Sequence, residues 1–575
     1  MAAAAVDARV NMHGASFVER AAVALIALFL AAGLHRVFVT NINWDEFYYL
    51  SFVHLYRAGD LTLPLQTIHV RLFAWLPWVS GNEVQQIFAG RSVMWLASLI
   101  SAWLIFRIAG RFSNRVGDVF AVILYLSFTY VMDHGTSFRA DPLCALLFLV
   151  AAHMLVNRTT WPYTIPAAAF AMAVAMLVSL KSVFYLPTIA VLLVAPLFTR
   201  PRLHSTLRRL AIFSACFLVA MAGLFAWHGF GLSPAVDTEA FVAAAGRKTI
   251  GIDSVNIAWP YVERALVGNI MVWMFVASGL WVAGERLISI PERADALMVL
   301  SFTLPLLSLL IYRNAFPYFF VFLMVAAIIP GAVAVDRFVA RVAVLGGTQA
   351  SIAMAAVLTI AGTGYTLNYM NKLPDQTVAQ AEIVRVVHAM FPEPLPYIDR
   401  NSMIASFPKV GFFMSTWGLE SYRAANRPIM ADLLARHGPP LLIANTPALD
   451  LNRADAEDEK TSPYNLFPED INILRDNFIH HWGAIYVAGK RLSLVAGGGV
   501  RTFEILIPGS YTLEAVEAIF LDDELLAPGA TVELTRGAHR MAGPESQALQ
   551  VTLRWGRDLF VPSVPPSPQP IYTGF

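Results

Sequence analysis

Apolar residues fall into two regimes along this chain. From about residue 18 to about 365, runs of mostly apolar residues recur, each near the roughly 20 residues a helix needs to cross a bilayer; beyond that point they stop. The pattern predicts spans near 18–40, 87–106, 116–132, 141–156, 163–180, 182–198, 209–230, 265–283, 296–312, 316–335 and 342–362, roughly eleven in all. The first is too long for a signal peptide and lacks a small-residue cleavage site, so it reads as a retained anchor. From 366 onward the apolar stretches are short, as in 439–445, 484–489 and 503–508, and turn residues separate them. A helical pattern over Ser421–His437 mixes with strands, and 511–541 alternates strands and turns. The expected fold is therefore mainly α: a polytopic bundle over 1–365, followed by a soluble α/β unit and a β-sandwich-like unit over 366–575.

Composition agrees, since 57% of the residues are hydrophobic and only 14% charged, far from a globular average. The net charge of +1 and the lack of a long basic block argue against nucleic acid as a partner. Cys144 and Cys216 both lie in apolar runs, and no disulfide is expected. With a cytoplasmic N-terminus, the cytoplasmic turns collect Arg107, Arg111, Arg115, Arg158, Arg200, Arg202, Arg208, Arg209, Arg286, Arg293, Arg337 and Arg341, as the positive-inside rule requires. The same count sends 41–86, 133–140, the junction at Lys181, 231–264, 313–315 and the C-terminal part to the other face. Reading 163–198 as one broken helix would invert everything downstream, but the arginine-rich turn at 200–209 argues against it.

Chemistry gathers on that outer face. The first loop opens with Asp45 and Glu46 beside Trp44, Phe47, Tyr48 and Tyr49. Ionised groups at a bilayer edge are costly and tend to be functional, although for an isolated pair simple solvation at the surface is the more frequent explanation. A second acid, Asp141, follows Arg139 and precedes Pro142. It reads either as a helix N-cap or as a carboxylate facing Asp45, and both can hold together. Arg71, Arg139, Lys181, Arg247, Lys248 and Arg313, with His69 and His134, supply positive groups suited to a phosphate, although each could instead reach lipid headgroups. Lys181 and Arg313 stand out because each sits tightly between two apolar segments.

Together these residues resemble the integral-membrane glycosyltransferases of the C superfamily, in the branch of protein O-mannosyltransferases and aminoarabinose lipid A transferases. The resemblance covers roughly 18–365. It rests on Asp45-Glu46, His69-Val70-Arg71-Leu72, Arg139-Ala140-Asp141-Pro142-Leu143, Ser179-Leu180-Lys181-Ser182 and Arg313-Asn314-Ala315-Phe316-Pro317-Tyr318. It implies Asp45 as catalytic base with Glu46 and Asp141 as the other catalytic acids. His69, Arg71, Arg139, Lys181, Arg313 and Tyr318 would bind substrate, with Lys181 and Arg313 on the lipid phosphate. Two departures stand out: Ser182 replaces the usual glycine after the lysine, and the leucine-proline ending near Tyr318 is absent.

The activity so implied is inverting transfer of a hexosyl or pentosyl group from a polyprenyl-phosphate sugar to a cell-envelope acceptor (glycan, lipid or protein). The setting would be the outer face of a bacterial inner membrane, with membrane lipid as the other partner. One acid pair without clustered histidines argues against a required metal, while a divalent ion between acids stays open. The alternatives are an O-antigen polymerase or ligase, which favours a large loop between late spans, and a lipid-linked glycan transporter. A transporter would show mid-membrane charges and repeated halves, and no repeat is visible.

Overall fold

The structure is a computed structural model. It describes residues 2–157, 163–198, 203–233, 259–312, 314–344, 346–371, 377–452, 464–495, 499–543, 548–568 and 570–572, with side chains from residue 18 in the first helix.

Among the described residues, six helices are long and apolar enough to cross a membrane: Val18–Val39, Glu83–Ala109, Leu180–Phe198, Leu203–Gly229, Arg293–Leu310 and Gly347–Asn371. Two bent pairs bring the number to eight: Trp259–Val267 with Ile270–Arg286, bent by 86°, and Phe319–Ala327 with Ile329–Ala343, bent by 45°. Pro330, in the first turn of Ile329–Ala343, lacks the N–H that would continue the preceding helix and so accounts for that break. The other three windows are also helical but shorter or interrupted: Ala140–Val156, Thr164–Val178, and Arg115–Leu126 followed by Thr129–His134. Each expected window thus finds a helix, but apolar length overcounts the full-length spans, because breaks at Ser127–Phe128 and Ser179 are written in backbone conformation rather than hydropathy. Small residues allow close approach where helices cross. A Cβ on Gly279 would meet the Pro330 carbonyl oxygen at 1.9 Å, and one on Gly117 would meet that of Ala332 at 2.5 Å.

The C-terminal part is built on one seven-stranded sheet in the order β1 (Tyr397–Ile398), β2 (Leu441–Ile443), β4 (Ile485–Leu494), β11 (Leu549–Trp555), β6 (Gly509–Glu514), β9 (Thr531–Leu534), with β3 (Phe478–Trp482) also on β4. Only β1 and β2 run parallel in this sheet. A second sheet follows the order β5 (Val500–Ile505), β10 (Gly537–Ala542), β7 (Ile519–Leu521), β8 (Glu524–Leu526). The two share a core of Leu492, Leu494, Phe503, Ile505, Leu513, Leu521, Met541 and Val551, which makes a β-sandwich. The α/β unit and the sandwich keep separate cores but share a strand. The ten-residue β4 pairs with β2 and β3 through its first half and with β11 through its second.

This part sits directly on the first loop of the membrane part. Gln380 accepts from the Ile42 N–H (3.1 Å) and donates to its carbonyl (2.8 Å); Asn401 donates to the Trp44 carbonyl (2.8 Å); Phe413 stacks on Tyr48 at 4.2 Å. Glu83, buried at the head of its membrane helix, accepts from the Ser406 backbone and hydroxyl and pairs with His388 at 3.1 Å.

Candidate active site

The first loop is held by a side chain from within a membrane helix. Asn43 accepts the Asp45 N–H at 3.0 Å and Glu46 accepts the Asn43 N–H at 3.1 Å. This reciprocal cap starts the helix Trp44–Ala58 with Asp45 in its first turn. Glu46 is 1% exposed and faces Arg91, which donates to its two oxygens at 2.8 and 2.6 Å. Arg91 also donates to the carbonyls of Val37, Thr40 and Asn41, and the Phe138 N–H donates to Glu46 at 2.8 Å. Burial opposes the Glu46 charge, but Arg91 and these N–H groups outweigh it and hold the carboxyl below its usual range. Gly90 leaves room for the Phe138 ring, which a Cβ would meet at 2.6 Å.

Asp45 and Glu46, adjacent in sequence, thus do different things: Glu46 is spent on architecture while Asp45, with a side chain 17% exposed, faces Arg139 at 2.5 Å. Arg139 precedes the helix Ala140–Val156, at its N-cap position in extended backbone, and makes no side-chain cap there. Asp141 is therefore not the cap; it lies inside the first turn, ahead of Pro142, and its carboxylate points at cations. One oxygen is ion-paired with Lys181 and the other lies 3.7 Å from the Arg139 Nε. Lys181 reaches this position because the backbone breaks at Ser179, which starts a tight helical turn over Leu180–Tyr185. The result is a chain of alternating charge, Asp45–Arg139–Asp141–Lys181, formally neutral. The Arg139 guanidinium lies over the Tyr318 ring at 3.5 Å, and the Lys181 ammonium is 5.7 Å from the same ring, so the ring face supports both cations.

This chain is incompletely satisfied. The Arg139 Nε, the second Asp141 oxygen and both ring nitrogens of His69 are buried without a hydrogen-bond partner among the described residues. Leaving such atoms unpaired costs about 1–3 kcal/mol each, so they mark places where a polar ligand is favoured. His69 packs against Tyr49 at 5.8 Å. Burial, then the neighbouring His228, lowers its pKa to about 4, so it is neutral at pH 7 and not one of the cations. Burial raises the Tyr49 pKa to about 12, which keeps its hydroxyl protonated. Arg71 is engaged elsewhere. It donates to the Trp227 and His228 carbonyls at 2.9 and 3.2 Å and stacks on Trp227 at 3.9 Å, tying the first loop to the end of Leu203–Gly229. Arg313, Arg247 and Lys248 lie outside the described residues. Among the described residues, no group of three or more His, Cys, Asp or Glu could hold a metal ion.

Sequence reasoning missed Arg91 and the buried pair of Arg36 with Asp133 at 3.0 Å. The available signal was a charged residue within or beside an apolar run, which demands a partner.

Comparison with known proteins bears on the fold. No family profile matches the sequence, and no curated protein matches it. Among solved structures, ArnT from Cupriavidus metallidurans bound to undecaprenyl phosphate is similar with a TM-score of 0.52 and 16% identity, over 73% of this chain and 92% of that one. The same protein in its apo state gives a TM-score of 0.50 at 16% identity over the same shares. The Archaeoglobus fulgidus oligosaccharyltransferase in the apo form gives 0.47 at 8% identity, over 91% of this chain and 76% of that one. The chain has the GT-C fold, a helical membrane core with a soluble domain, and is a multi-pass membrane protein.

Proposed function

We propose that this protein is an inverting glycosyltransferase. It takes a sugar from a polyprenyl-phosphate carrier and passes it to a hydroxyl of a cell-envelope acceptor at the extracytoplasmic face of a bacterial inner membrane. The observation that carries the reading is the charge chain Asp45–Arg139–Asp141–Lys181, largely buried at helix ends, in which the Arg139 Nε and one Asp141 oxygen face each other at 3.7 Å without a hydrogen bond. The similar fold of ArnT, solved with undecaprenyl phosphate, supports the choice of carrier.

In this mechanism Asp45, exposed on one side and held by Arg139 on the other, takes the proton of the acceptor hydroxyl. The acceptor oxygen forms its bond to the anomeric carbon from the face opposite the carrier. The bond from that carbon to the phosphate oxygen breaks, and its electron pair leaves with the polyprenyl phosphate. Lys181 and Arg139 neutralise that leaving group, with Arg313 as a further cation; Tyr318 holds the Arg139 plane. Since Lys181 and Arg139 are already paired with acids, the phosphate must draw them partly away from Asp141. The reaction then rests on positioning and charge compensation rather than on an idle cation. Glu46 positions the loop that carries Asp45, and residues 366–575 form the extracytoplasmic domain above it.

The test uses the full chain in lipid nanodiscs, with transfer to envelope extract followed by mass spectrometry. Asp45→Asn should lose transfer while keeping its affinity for undecaprenyl phosphate. Near-normal turnover in that variant would remove Asp45 as the base.

A further inference from the structure

The soluble part carries a groove that the proposed reaction leaves unused. Its volume is about 730 Å³, within the usual size of small-molecule sites. It lies past the carboxyl ends of the parallel strands β1 and β2, the usual place for a ligand in such sheets. Arg400, Asn445, Asp450, Asn452, Tyr486 and Tyr572 are among the residues that line it.

One end reaches the candidate active site. The Arg400 guanidinium stacks on Trp44 at 3.8 Å, and Trp44 is the residue before Asp45, whose charge acts on Arg400. Tyr572 meets the other side of this junction, 6.0 Å from Trp44 and within 3.1 Å of Asn401. The Arg400 Nε is buried and has no hydrogen-bond partner among the described residues, while the backbone N–H of the same residue donates to Asn445. A cation that spends its face on an aromatic ring and leaves an edge nitrogen unpaired is poised for an oxygen-rich ligand.

The lining selects among ligand classes. Every lining residue lies at 379 or beyond, so none comes from a membrane span, and apolar residues such as Ile383, Trp482 and Ile571 share the wall with Glu382, Arg400, Asn445, Asp450 and Asn452. An extended peptide would need a free strand edge, but the outer edge of β1 is taken: the Tyr397 N–H donates to the Pro408 carbonyl and the Val410 N–H to the Tyr397 carbonyl. Amide, carboxylate, guanidinium and phenol groups around an open trough instead match the dense hydroxyls and apolar faces of sugar rings.

We propose that this groove is the acceptor site and that it binds an oligosaccharide, whose terminal hydroxyl passes Arg400 and Trp44 to reach Asp45. The proposal rests on the glycosyltransferase reading for the direction of transfer, but the binding site can be tested without it. The full chain in nanodiscs is examined by saturation-transfer NMR with maltotriose, mannotriose, chitotriose and trigalacturonate, and separately titrated with undecaprenyl phosphate. At least one trisaccharide should bind, and Arg400→Ala should weaken it at least tenfold while leaving undecaprenyl phosphate affinity unchanged. Asn452→Ala, at an exposed position whose amide donates to Tyr486, should also weaken it and keeps the test decisive where Arg400→Ala fails to fold. Failure of all four sugars to bind, binding indifferent to both substitutions, or preferential binding of a serine- and threonine-rich peptide overturns the proposal. Trisaccharide binding without undecaprenyl phosphate binding upholds the groove and sinks the donor reading.

Discussion

Two buried aspartates show how the membrane part and the soluble part differ. Asp399, fully buried in the soluble part, accepts the backbone N–H groups of Asn401, Ser402 and Met403 at 3.1, 2.8 and 2.7 Å and the Asn445 amide at 3.1 Å. Asp141, equally buried, has one oxygen on Lys181 and the other without a hydrogen bond. The first is held by three backbone N–H groups of one loop and by the Asn445 amide, so both of its oxygens already accept hydrogen bonds. The second is held by side-chain charges, Lys181 and the more distant Arg139, which a bound anion would also attract. A satisfied acid defines a fold, whereas an under-satisfied one leaves room for chemistry.

If that contrast is right, substitution in the charge chain should cost activity and substitution at Asp399 should cost stability. The largest effect is expected at Asp45. Removing a general base typically costs about 10²–10⁴-fold in rate, so Asp45→Asn should lower turnover by that order with an unchanged thermal midpoint. Next comes the phosphate end. Lys181→Ala should weaken undecaprenyl phosphate binding at least tenfold, which corresponds to about 1.4 kcal/mol. Arg57→Ala, at a side chain that stacks on Trp78 at 4.5 Å, should leave that affinity within twofold. At Asp399 the pattern should invert. Asp399→Ala leaves three buried N–H groups unpaired at about 1–3 kcal/mol each, and should lower the unfolding midpoint sharply while the folded fraction keeps its undecaprenyl phosphate affinity. Loss of that affinity in the folded fraction would erase the distinction between the two acids.

How much of this could be read in the sequence follows from what each signal depends on. Hydropathy located all the apolar helices because burial in lipid is a property of composition over many residues. It could not tell Thr164–Val178 from a full span, since the stop at Ser179 is a local backbone choice. Asp45, Arg139, Asp141 and Lys181 were legible as charges at the ends of apolar runs, and the structure brings these four together. Their pairing was not legible: the sequence offered Lys181 as a free cation, but residues 40 positions apart meet only in three dimensions. The separate use of Glu46 depended on Arg91, which lies within the first half of a long, mostly apolar helix and shows its partner only in three dimensions. Arg71 showed the converse, a cation in the right loop that is committed to the end of another helix.

The smallest effect is one of pH, and it probes the unpaired imidazole beside the charge chain. His69 has a pKa near 4 in the folded protein, because burial and then His228 disfavour its charge, against about 6.5 in an unfolded chain. Below 6.5 the unfolded state therefore binds a proton that the folded state refuses. Stability from this group is complete above pH 6.5 and is lost as pH falls toward 4, by about 2 kcal/mol between pH 7.5 and 5. Asp399 works in the opposite direction, since burial raises its pKa and acid then favours the folded state. The comparison that isolates His69 is thus wild type against His69→Gln, which keeps a neutral polar side chain and removes the titration. The wild type should lose more of its thermal midpoint between pH 7.5 and 5 than the variant does. Saturating undecaprenyl phosphate should shrink the difference if His69 donates to the bound phosphate, because the anion favours the charged ring and raises its pKa in the complex. Identical pH slopes would mean that the ring is already solvated, and His69 would lose its place as a buried, neutral part of the site.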